Sequence, residues 1–545
     1  MESKTPETPH VQHIDPPADK PGSMEASNEI TLPADIEGPW PSYLAKRWHM
    51  ILRMSIIYIA VLNVGFDNSV TNTTLGMPAF RRYFGHETED GSYVIPAKYV
   101  SAWAGSTFGG QVLTDLVGGY LADRIGRKWT LSLSVIVIIV ASTIQITPHS
   151  IGQIIAGKTV FGMGVGLYIS FVTSYTAELA PTRVRGMACM AVNFCIQAGN
   201  WIGSGTALGL FNRYPDVNDT RSFRIIFSLQ YLFATLFLLT VYWLPESPSF
   251  HIHRDDVENA EKVIAQLYGP DYDSKRHVAF LVQEHEAEKE SLGVGKAIGW
   301  GELFKGRNPL RMMISTCIIW PLLMGTAFRP SYQSSYFELA GATIAQAMNY
   351  GCSSVAIGTS IIAYMLIETV GRRRLWLFGA TGMACSNLIG GFMYIPFVNG
   401  NARVAGKVAT AMVFLWNGFY DIGPANMGYA ITSEVPSSRM RVKNNAFVHV
   451  GSHLTGFALS YAVTYMYNPD AGNLGLRMGF IWGGFSVIFV IWGFFFIPDV
   501  TGLNFYQIDQ LFESRAPVRK FHQAKFGDNG LLIRSFSGRT SEEAN

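Results

Sequence analysis

Charged residues are scarce in this chain: they make up 15% of its 545 residues, whereas soluble domains carry about 25%. Hydrophobic residues account for 48%, and the mean hydropathy is +0.18. A net charge of +2 without a basic patch gives no reason to expect nucleic acid as a partner. This composition is that of a protein lying in a lipid bilayer.

Cysteine is also rare, and its five copies all fall in apolar segments. A disulfide framework is therefore not expected, and no spacing of potential ligands matches a metal site. The chain also lacks a nucleophile constellation and a phosphate-binding loop. The sequence predicts neither an enzyme nor a protein with a metal or other cofactor.

The first 47 residues lack both a long apolar run and a cleavable signal peptide, so we expect a disordered tail in the cytoplasm. Beyond them, apolar stretches of about 20 residues recur, the length needed to cross a bilayer. They lie near 48–70, 98–122, 129–148, 153–176, 187–211, 224–244, 312–337, 350–367, 375–397, 406–432, 446–467 and 475–497.

This series predicts an all-α integral membrane protein with twelve transmembrane helices in two pseudo-symmetric six-helix bundles. The predicted division is a cytoplasmic tail at 1–47, an N-terminal bundle at 48–248, a cytoplasmic linker with short helices at 249–309, a C-terminal bundle at 310–497 and a cytoplasmic tail at 498–545. We expect short helices in the linker near 257–264 and 277–291 because these stretches contain good helix formers at helical spacing.

Three short signatures occur twice, in the same order and roughly 250 residues apart. The matching pairs are DRIGRK at 123–128 with ETVGRRR at 368–374, ELAPTRVR at 178–185 with EVPSSRMR at 434–441, and PESP at 245–248 with PDVT at 498–501. A repeat of this size indicates a duplicated unit, and a duplicated membrane bundle is the plan of a transporter.

Lysine and arginine cluster in the loops on one side of the predicted bundle. By the positive-inside rule this side is cytoplasmic, and both termini lie there too. The sequon at Asn218 falls in a predicted external loop, which agrees with this orientation and predicts a glycosylation site.

Several motifs together resemble those of the sugar porters of the major facilitator superfamily, and most of all the fungal α-glucoside (maltose-type) permease branch. The motifs are Gly118–Lys128, Gly157–Gly166, Pro245–Pro248, Val192–Cys195, Phe223–Ile225 with Gln230, Tyr467–Pro469, and Ile508–Phe512. The resemblance covers nearly everything from Ile56 to Phe521. It implies the major facilitator fold and a solute carried by alternating access.

Acidic and basic residues recur together in the repeated signatures of both halves. Such charges can bridge neighbouring helix ends in one transport state and part in the other. The alternative is that they only set the topology, although topology requires only the bases. The predicted cytoplasmic gate consists of Asp123, Arg127, Glu178, Arg185, Glu246, Glu368, Arg372, Glu434 and Arg441. Ser249 and Thr501 stand where the family usually has Arg and Lys, which weakens the expected network.

Asp67 lies inside the first predicted helix, where a carboxylate costs at least a few kcal/mol unless it is protonated or paired. The resemblance implies that this residue carries the coupling proton and that Lys158, where better-studied relatives have Arg, is its partner. The alternative is a static ion pair. Asp115 is a second intramembrane acid without a counterpart in the resemblance. For His449 and His453, on one face of helix eleven, packing or solvation is favoured over a proton relay or a substrate contact.

A sugar site needs amides, hydroxyls and a stacking aromatic. The resemblance assigns these roles to Asn200 and Tyr429. On helix seven, however, Pro321, Leu322 and Ala327 replace three amides that most sugar porters carry, and only Tyr332 and Gln333 remain as candidates there.

The sequence therefore predicts a multi-pass carrier, monomeric and in the plasma membrane, for a sugar and protons. The most favoured function is proton-coupled uptake of an α-glucoside or a hexose. One alternative is export of a less polar solute, such as a secondary metabolite. A further alternative is a sugar sensor, which the short C-terminal tail disfavours.

Overall fold

The computed structural model describes residues 43, 45–87, 93–181, 184–292, 300–319, 337, 345–437, 440–467, 472, 474–501, 503, 505–514, 516–524, 526 and 532. The predicted N-terminal tail up to residue 42, most of predicted helix seven and the end of the C-terminal tail lie outside the described residues.

The N-terminal bundle consists of six helices. They are α1 (Trp48–Thr74), α2 (Ala97–Ile125), α3 (Arg127–Ile146), α4 (Ile151–Leu179), α5 (Arg185–Arg213) and α6 (Arg221–Ser228 continued by Gln230–Thr240). The start of α4 is fixed by Ser150, whose hydroxyl accepts a hydrogen bond of 3.2 Å from the backbone N–H of Gln153. Most helices extend a few residues beyond the predicted apolar spans, because the polar residues at the helix ends still have helical geometry.

The C-terminal bundle repeats this order. Its helices are α7 (helical over 308–319), α8 (Ala345–Val370), α9 (Arg372–Phe392), α10 (Ala402–Tyr420, continued by Asp421–Ala425 and Asn426–Glu434), α11 (Arg441–Tyr467) and α12 (Met478–Phe496). Helices α3, α5, α9 and α11 each begin with an arginine. We call the end of the molecule that carries these four residues, Arg127, Arg185, Arg372 and Arg441, the basic end.

Helix α10 contains a π turn at Asp421–Ala425. Pro424 lies inside this turn and has no N–H to donate, so the regular ladder of hydrogen bonds cannot continue through it. The side-chain amide of Asn426 donates to the backbone carbonyl of Asp421 and replaces one of the missing backbone hydrogen bonds. The apolar stretch at 406–432 predicts an uninterrupted helix, although Pro424 is a visible signal for the break.

Seven helical stretches among the described residues are long and apolar enough to cross a membrane on composition alone. Helices α2, α5, α10 and α11 do not reach that threshold. All four lie where the two bundles meet, since α2 packs against α11 and α5 packs against α10 as well as α8. Their polar residues are buried between helices, which lowers the mean hydropathy without exposing polar atoms to lipid.

Within the N-terminal bundle, glycines bring helix backbones into direct contact. A Cβ atom on Gly110 of α2 would overlap the Thr159 carbonyl of α4, and one on Gly162 of α4 would overlap the Thr107 carbonyl of α2. Helices α1 and α5 meet in the same way at Gly65. Small residues at these positions allow the close packing that drives helix association in lipid.

Smaller elements surround the bundles. A short helix at Pro78–Phe84 and an antiparallel pair of strands, β1 (His86–Glu87) and β2 (Tyr93–Val94), connect α1 to α2 and were not predicted. The linker contains helices at Pro248–Ile252, Val257–Tyr268 and Ser274–Leu292 and a 3₁₀ turn at Trp300–Phe304. After α12 come a helix at Phe505–Glu513 and a 3₁₀ turn at Val518–Gln523.

Candidate functional site

Asp67 of α1 and Lys158 of α4 form a salt bridge inside the N-terminal bundle. Each residue lies seven positions from the end of its helix that is remote from the basic end. Lys158 Nζ is 2.5 Å from Asp67 Oδ1, and the side chains are 0% and 1% exposed. Because a single buried charge costs several kcal/mol, each residue needs the other to remain ionised there. The structure thus brings together the two residues that the sequence analysis pairs.

Three uncharged side chains complete the hydrogen bonds around this pair. Gln230 of α6 donates to the same Oδ1 at 2.8 Å, and Ser142 of α3 donates to Gln230 Oε1 at 2.9 Å. Lys158 Nζ donates to Thr71 Oγ1 at 2.7 Å. Asp67 Oδ2 has no hydrogen-bond partner in the part of the chain that the structure describes. One carboxylate oxygen therefore remains open to another donor.

Aromatic rings close the site on one side. The Lys158 ammonium lies 5.6 Å from the ring centroid of Trp103 and 5.7 Å from that of Phe161, and both rings are buried. Their π faces attract the cation and keep water from it. The pair is consequently dry and held by four helices of one bundle.

A second polar cluster joins the two bundles at α5 and α10. Gln197 donates to Asp421 Oδ1 at 2.5 Å, and Asn193 donates to Asn426 Oδ1 at 3.0 Å. All four side chains are buried. We call Asn193, Gln197, Asp421 and Asn426 the α5–α10 cluster. It places amides and a carboxylate between the bundles, where a solute passing between them would meet donors and acceptors.

The residues predicted to bind the solute lie at different places relative to this cluster. Asn200 is half-buried and donates to Gln197 at 3.3 Å, so it extends the cluster along α5. Tyr429 is buried on α10, two turns beyond Asp421 toward the basic end. Tyr332 and Gln333 lie outside the described residues.

The four residues of the α5–α10 cluster are absent from the site residues predicted from the sequence. A signal was present, because Asn193 and Gln197 are four residues apart in an apolar helix and so share one face. Asp421 and Asn426 lie beside the only proline of α10, a second sign of an irregular, polar stretch. Among the described residues, no three His, Cys, Asp or Glu side chains converge as metal ligands.

At the basic end of the N-terminal bundle, predicted gate residues contact one another. The guanidinium of Arg127 is 3.8 Å from Asp123 and 3.7 Å from Glu178, which also accepts a hydrogen bond from Ser247. Glu246 accepts from the backbone N–H groups of Arg127 at 2.8 Å and Lys128 at 3.1 Å. Burial raises the pKa of the Glu246 carboxyl, while these hydrogen bonds act in the opposite direction.

In the C-terminal bundle, Arg372 and Glu434 form a buried ion pair with a 3.0 Å N–O separation. A Cβ atom on Gly186 of α5 would lie 2.5 Å from the Arg372 guanidinium, so this arginine also reaches the N-terminal bundle. Arg185 is half-buried at the start of α5, and Arg441 is buried at the start of α11. The side chain of Glu368 lies outside the described residues.

The repeated signatures build the same backbone turn in both halves. Gly126 (φ 101°, ψ 158°) precedes α3, and Gly371 (φ 91°, ψ 153°) precedes α9. In the first half Glu246 accepts directly from the first N–H groups of α3. In the second half the hydroxyl of Thr501 accepts from the N–H of Arg372 at 3.4 Å and donates to Asp499 at 2.7 Å. A threonine at this position therefore links the acid to the helix start.

Comparisons with known proteins agree with this architecture. The model of the family described as "Sugar (and other) transporter" matches residues 54–512. The chain is 30% identical over 481 residues to "MFS transporter fmqE" of Aspergillus fumigatus, with 86% of each chain covered. It is 24% identical to the "General alpha-glucoside permease" of Saccharomyces cerevisiae, over 88% of this chain and 76% of that one.

Among solved structures, the proton:xylose symporter XylE bound to 6-bromo-6-deoxy-D-glucose superposes with a TM-score of 0.71 at 19% identity. The match covers 86% of this chain and 99% of that one, which shows that the two proteins share a fold. The twelve helices, their division into two bundles and the family match lead to one conclusion. The chain is a transporter, not an enzyme, and it belongs to the sugar transporter family of the major facilitator superfamily.

Proposed function

We propose that the chain takes up a sugar, an α-glucoside or a hexose, together with protons by alternating access. The observation that carries the coupling is the buried Asp67–Lys158 pair, with one carboxylate oxygen open. The family match and the alpha-glucoside permeases among the relatives support a sugar as the solute. The name of XylE, a proton:xylose symporter, supports both parts of the proposal.

The coupling proton binds to Oδ2 of Asp67. In the ionised state, Lys158 and Gln230 balance the carboxylate at Oδ1. A proton on Oδ2 removes the negative charge and with it most of the Coulomb attraction to the ammonium, which is strong in a dry site. Helices α1 and α4 are then free to move relative to each other. Loss of the proton on the other side of the membrane restores the pair.

The solute binds between the bundles, at the α5–α10 cluster. The polar atoms of the cluster form hydrogen bonds with one another while the bundles are closed, as buried polar groups must. Sugar hydroxyls replace these partners when the bundles part, since each hydroxyl needs a donor or an acceptor once it leaves water. Asn200 and Tyr429 flank the cluster, and we keep Tyr332 and Gln333 as candidates on helix seven.

The gate lies at the basic end, which we assign to the cytoplasm by the positive-inside rule. Both termini, the linker at 249–309 and the tails at 1–47 and 498–545 then lie in the cytoplasm, and the exposed Asn218 lies outside the cell, in the position of a glycosylation site. We place the protein, as a monomer, in the plasma membrane. Arg127 with Glu178, within the N-terminal bundle, and Arg372 with Glu434, within the C-terminal bundle, hold the gate side chains in place. The contact of Arg372 with Gly186 of α5 crosses between the bundles, and it breaks when the site faces inward.

The test is uptake of labelled maltose, glucose and trehalose by cells that lack their own transporters, with and without a proton uncoupler. We expect accumulation of at least one sugar above its external concentration, abolished by the uncoupler and by Asp67→Asn. Glu258→Gln is the matched control, since Glu258 also pairs with a lysine, Lys262 at 2.6 Å, but on the exposed surface. Uphill uptake that survives Asp67→Asn would refute the coupling role.

A less polar solute, exported from the cell, is the second candidate. It is favoured by the 30% identity to MFS transporter fmqE, whose name specifies no sugar, against 24% to the alpha-glucoside permease. The pairing of the α5–α10 amides with each other also suits a solute with few hydroxyls. No uptake of any of the three sugars, in cells where surface labelling finds the protein, would favour this candidate.

A further inference from the structure

A second buried acid–base pair lies between the two bundles. Asp115 of α2 and His453 of α11 are joined by a hydrogen bond of 2.8 Å between Oδ2 and Nδ1. The Asp115 side chain is 0% exposed and that of His453 is 8% exposed. Unlike Asp67 and Lys158, these residues belong to different bundles, so their contact depends on how the bundles are placed.

Helices α2 and α11 are in close contact along the segment from the pair to the end remote from the basic end. A Cβ atom on Gly456 would lie 3.0 Å from the Phe108 ring, and one on Gly105 would lie 2.9 Å from Ser460 Oγ. The ring of Phe108 also lies 6.2 Å from that of His453. The pair is therefore sealed from water on this side while the helices are in contact.

The short hydrogen bond requires at least one proton between the two groups. An ionised carboxylate can only accept, so Nδ1 must then carry a proton; a neutral carboxyl group can instead donate to an unprotonated Nδ1. A neutral imidazole and an ionised carboxylate together carry one negative charge. One more proton on the pair brings its net charge to zero. A pair without it leaves one uncompensated negative charge, which is costly in a dry interface.

No other charge among the described residues is positioned to compensate. On α11, His449 stacks on His453 with ring centroids 5.7 Å apart, and Arg441 and Lys443 lie three turns away at the basic end. On α2 the next charged residues are Asp123 and Arg124, two turns toward the same end. The remaining titratable groups of the neighbouring elements are Lys158, Tyr168, Tyr175 and Glu178 of α4, Arg127 and Lys128 of α3, Tyr429 and Glu434 of the last segment of α10 (Asn426–Glu434), and Glu302 of the 3₁₀ turn.

We propose that Asp115 and His453 form a second proton-binding site, which holds one proton while α2 and α11 are in contact and releases it when they separate. On separation, water reaches both side chains. Water then solvates the carboxylate charge, so the pair no longer needs the proton to avoid a buried net charge. This inference rests on the proposed function in one respect only, the motion of the two bundles. It adds a second proton, which is bound between the bundles and not within one of them.

The first test compares thermal unfolding of the purified protein with that of Asp115→Asn/His453→Gln from pH 6.5 to 8.5, without solute. A native state that keeps one proton more than the unfolded chain loses stability as the pH rises, by up to a factor of ten in the unfolding constant per pH unit. We expect the unfolding constant of the wild type to rise with pH by up to this factor more than that of the double variant. His449→Gln is the matched control and should keep the wild-type slope, because His449 shares the helix face but forms no ion pair within the described residues. Parallel curves for the wild type and the double variant would overturn the proposal.

The second test leaves the pair intact, so it stands even if the double variant does not fold. Ser460→Cys changes one buried atom at the α2–α11 contact, and its labelling by N-ethylmaleimide reports opening. Dividing that rate by the rate at Glu258→Cys, on the exposed surface of the linker, removes the pH dependence of thiol ionisation. We expect the ratio to rise at least fivefold from pH 6.5 to 8.5; a constant ratio would contradict the proposal. Neither test uses a sugar or Asp67, so failure of the proposed function would leave both results unchanged.

Discussion

The side-chain amide of Gln230 donates a 2.8 Å hydrogen bond to Asp67 Oδ1, the same oxygen that the Lys158 ammonium contacts. Two donors thus converge on one oxygen, and Oδ2 has none among the described residues. This asymmetry separates the structural role of the carboxylate, at Oδ1, from the proposed proton-binding role, at Oδ2.

Gln230→Met should destabilise the protein by about 1–3 kcal/mol, because it removes the buried hydrogen bond with Ser142 and one of the two donors to Asp67 Oδ1. Gln145→Met is a matched control. Gln145 is equally buried, but neither of its amide atoms has a hydrogen-bond partner in the described structure. Thermal unfolding in one detergent should show a loss of midpoint for the first variant and little change for the second. Equal losses would mean that the Gln230 hydrogen bonds contribute nothing.

Lys158→Met should cost about 3–5 kcal/mol, because it leaves the Asp67 carboxylate buried without its partner. Adding Asp67→Asn should recover much of that loss, since the second change removes the unpaired charge. The measurement is the unfolding midpoint of the two single variants and the double variant. A double variant as unstable as the sum of the singles would argue against an ion pair.

Gly126→Ala should be more destabilising than Gly371→Ala. Both glycines have φ near +100° with extended ψ, a region open essentially to glycine alone, so each change costs on the order of 1–3 kcal/mol in strain. At Gly126 the new Cβ also overlaps the Glu246 carboxylate, whereas at Gly371 it would lie 3.4 Å from Asp499. Unfolding midpoints of the two variants give the order directly, and the reverse order would be inconsistent with the contacts described.

Glu434→Gln should open the basic end by weakening the ion pair with Arg372. A native thiol reports this opening, since Cys189 of α5 is buried against Ser433 of α10 with an Oγ–Sγ distance of 3.2 Å. We expect maleimide labelling of Cys189 to accelerate about tenfold, the effect of roughly 1.4 kcal/mol on the closed state. Peptide mass spectrometry separates it from Cys385, whose rate should not change; unaltered labelling of Cys189 would exclude this pair from the gate.

Much of the site could be predicted because charge is rare inside apolar helices. Asp67 and Lys158 stand out in such helices, and a buried acid needs a base, so the sequence and the resemblance together identify both partners. The predicted gate residues stand out in the sequence for a related reason, since they recur in both halves.

The α5–α10 cluster could not be predicted in the same way. Asn193 and Gln197 are uncharged, and buried amides are compatible with many packing roles. Their partners, Asp421 and Asn426, lie more than 220 residues away, and the pairing depends on how two bundles meet. The register of the π turn, which brings both partners to one face of α10, is likewise a product of tertiary packing.

The N-terminal bundle contains two sets of residues that differ in what a substitution changes. The first set is the glycines at the contacts of α2 with α4 and of α1 with α5, which fix the spacing of the backbones and leave no room for a larger side chain. The other set, Asn193 and Gln197, lies on the face of α5 toward the C-terminal bundle, where we propose that the solute binds. Cargo preference can consequently diverge by single substitutions while the moving parts stay the same.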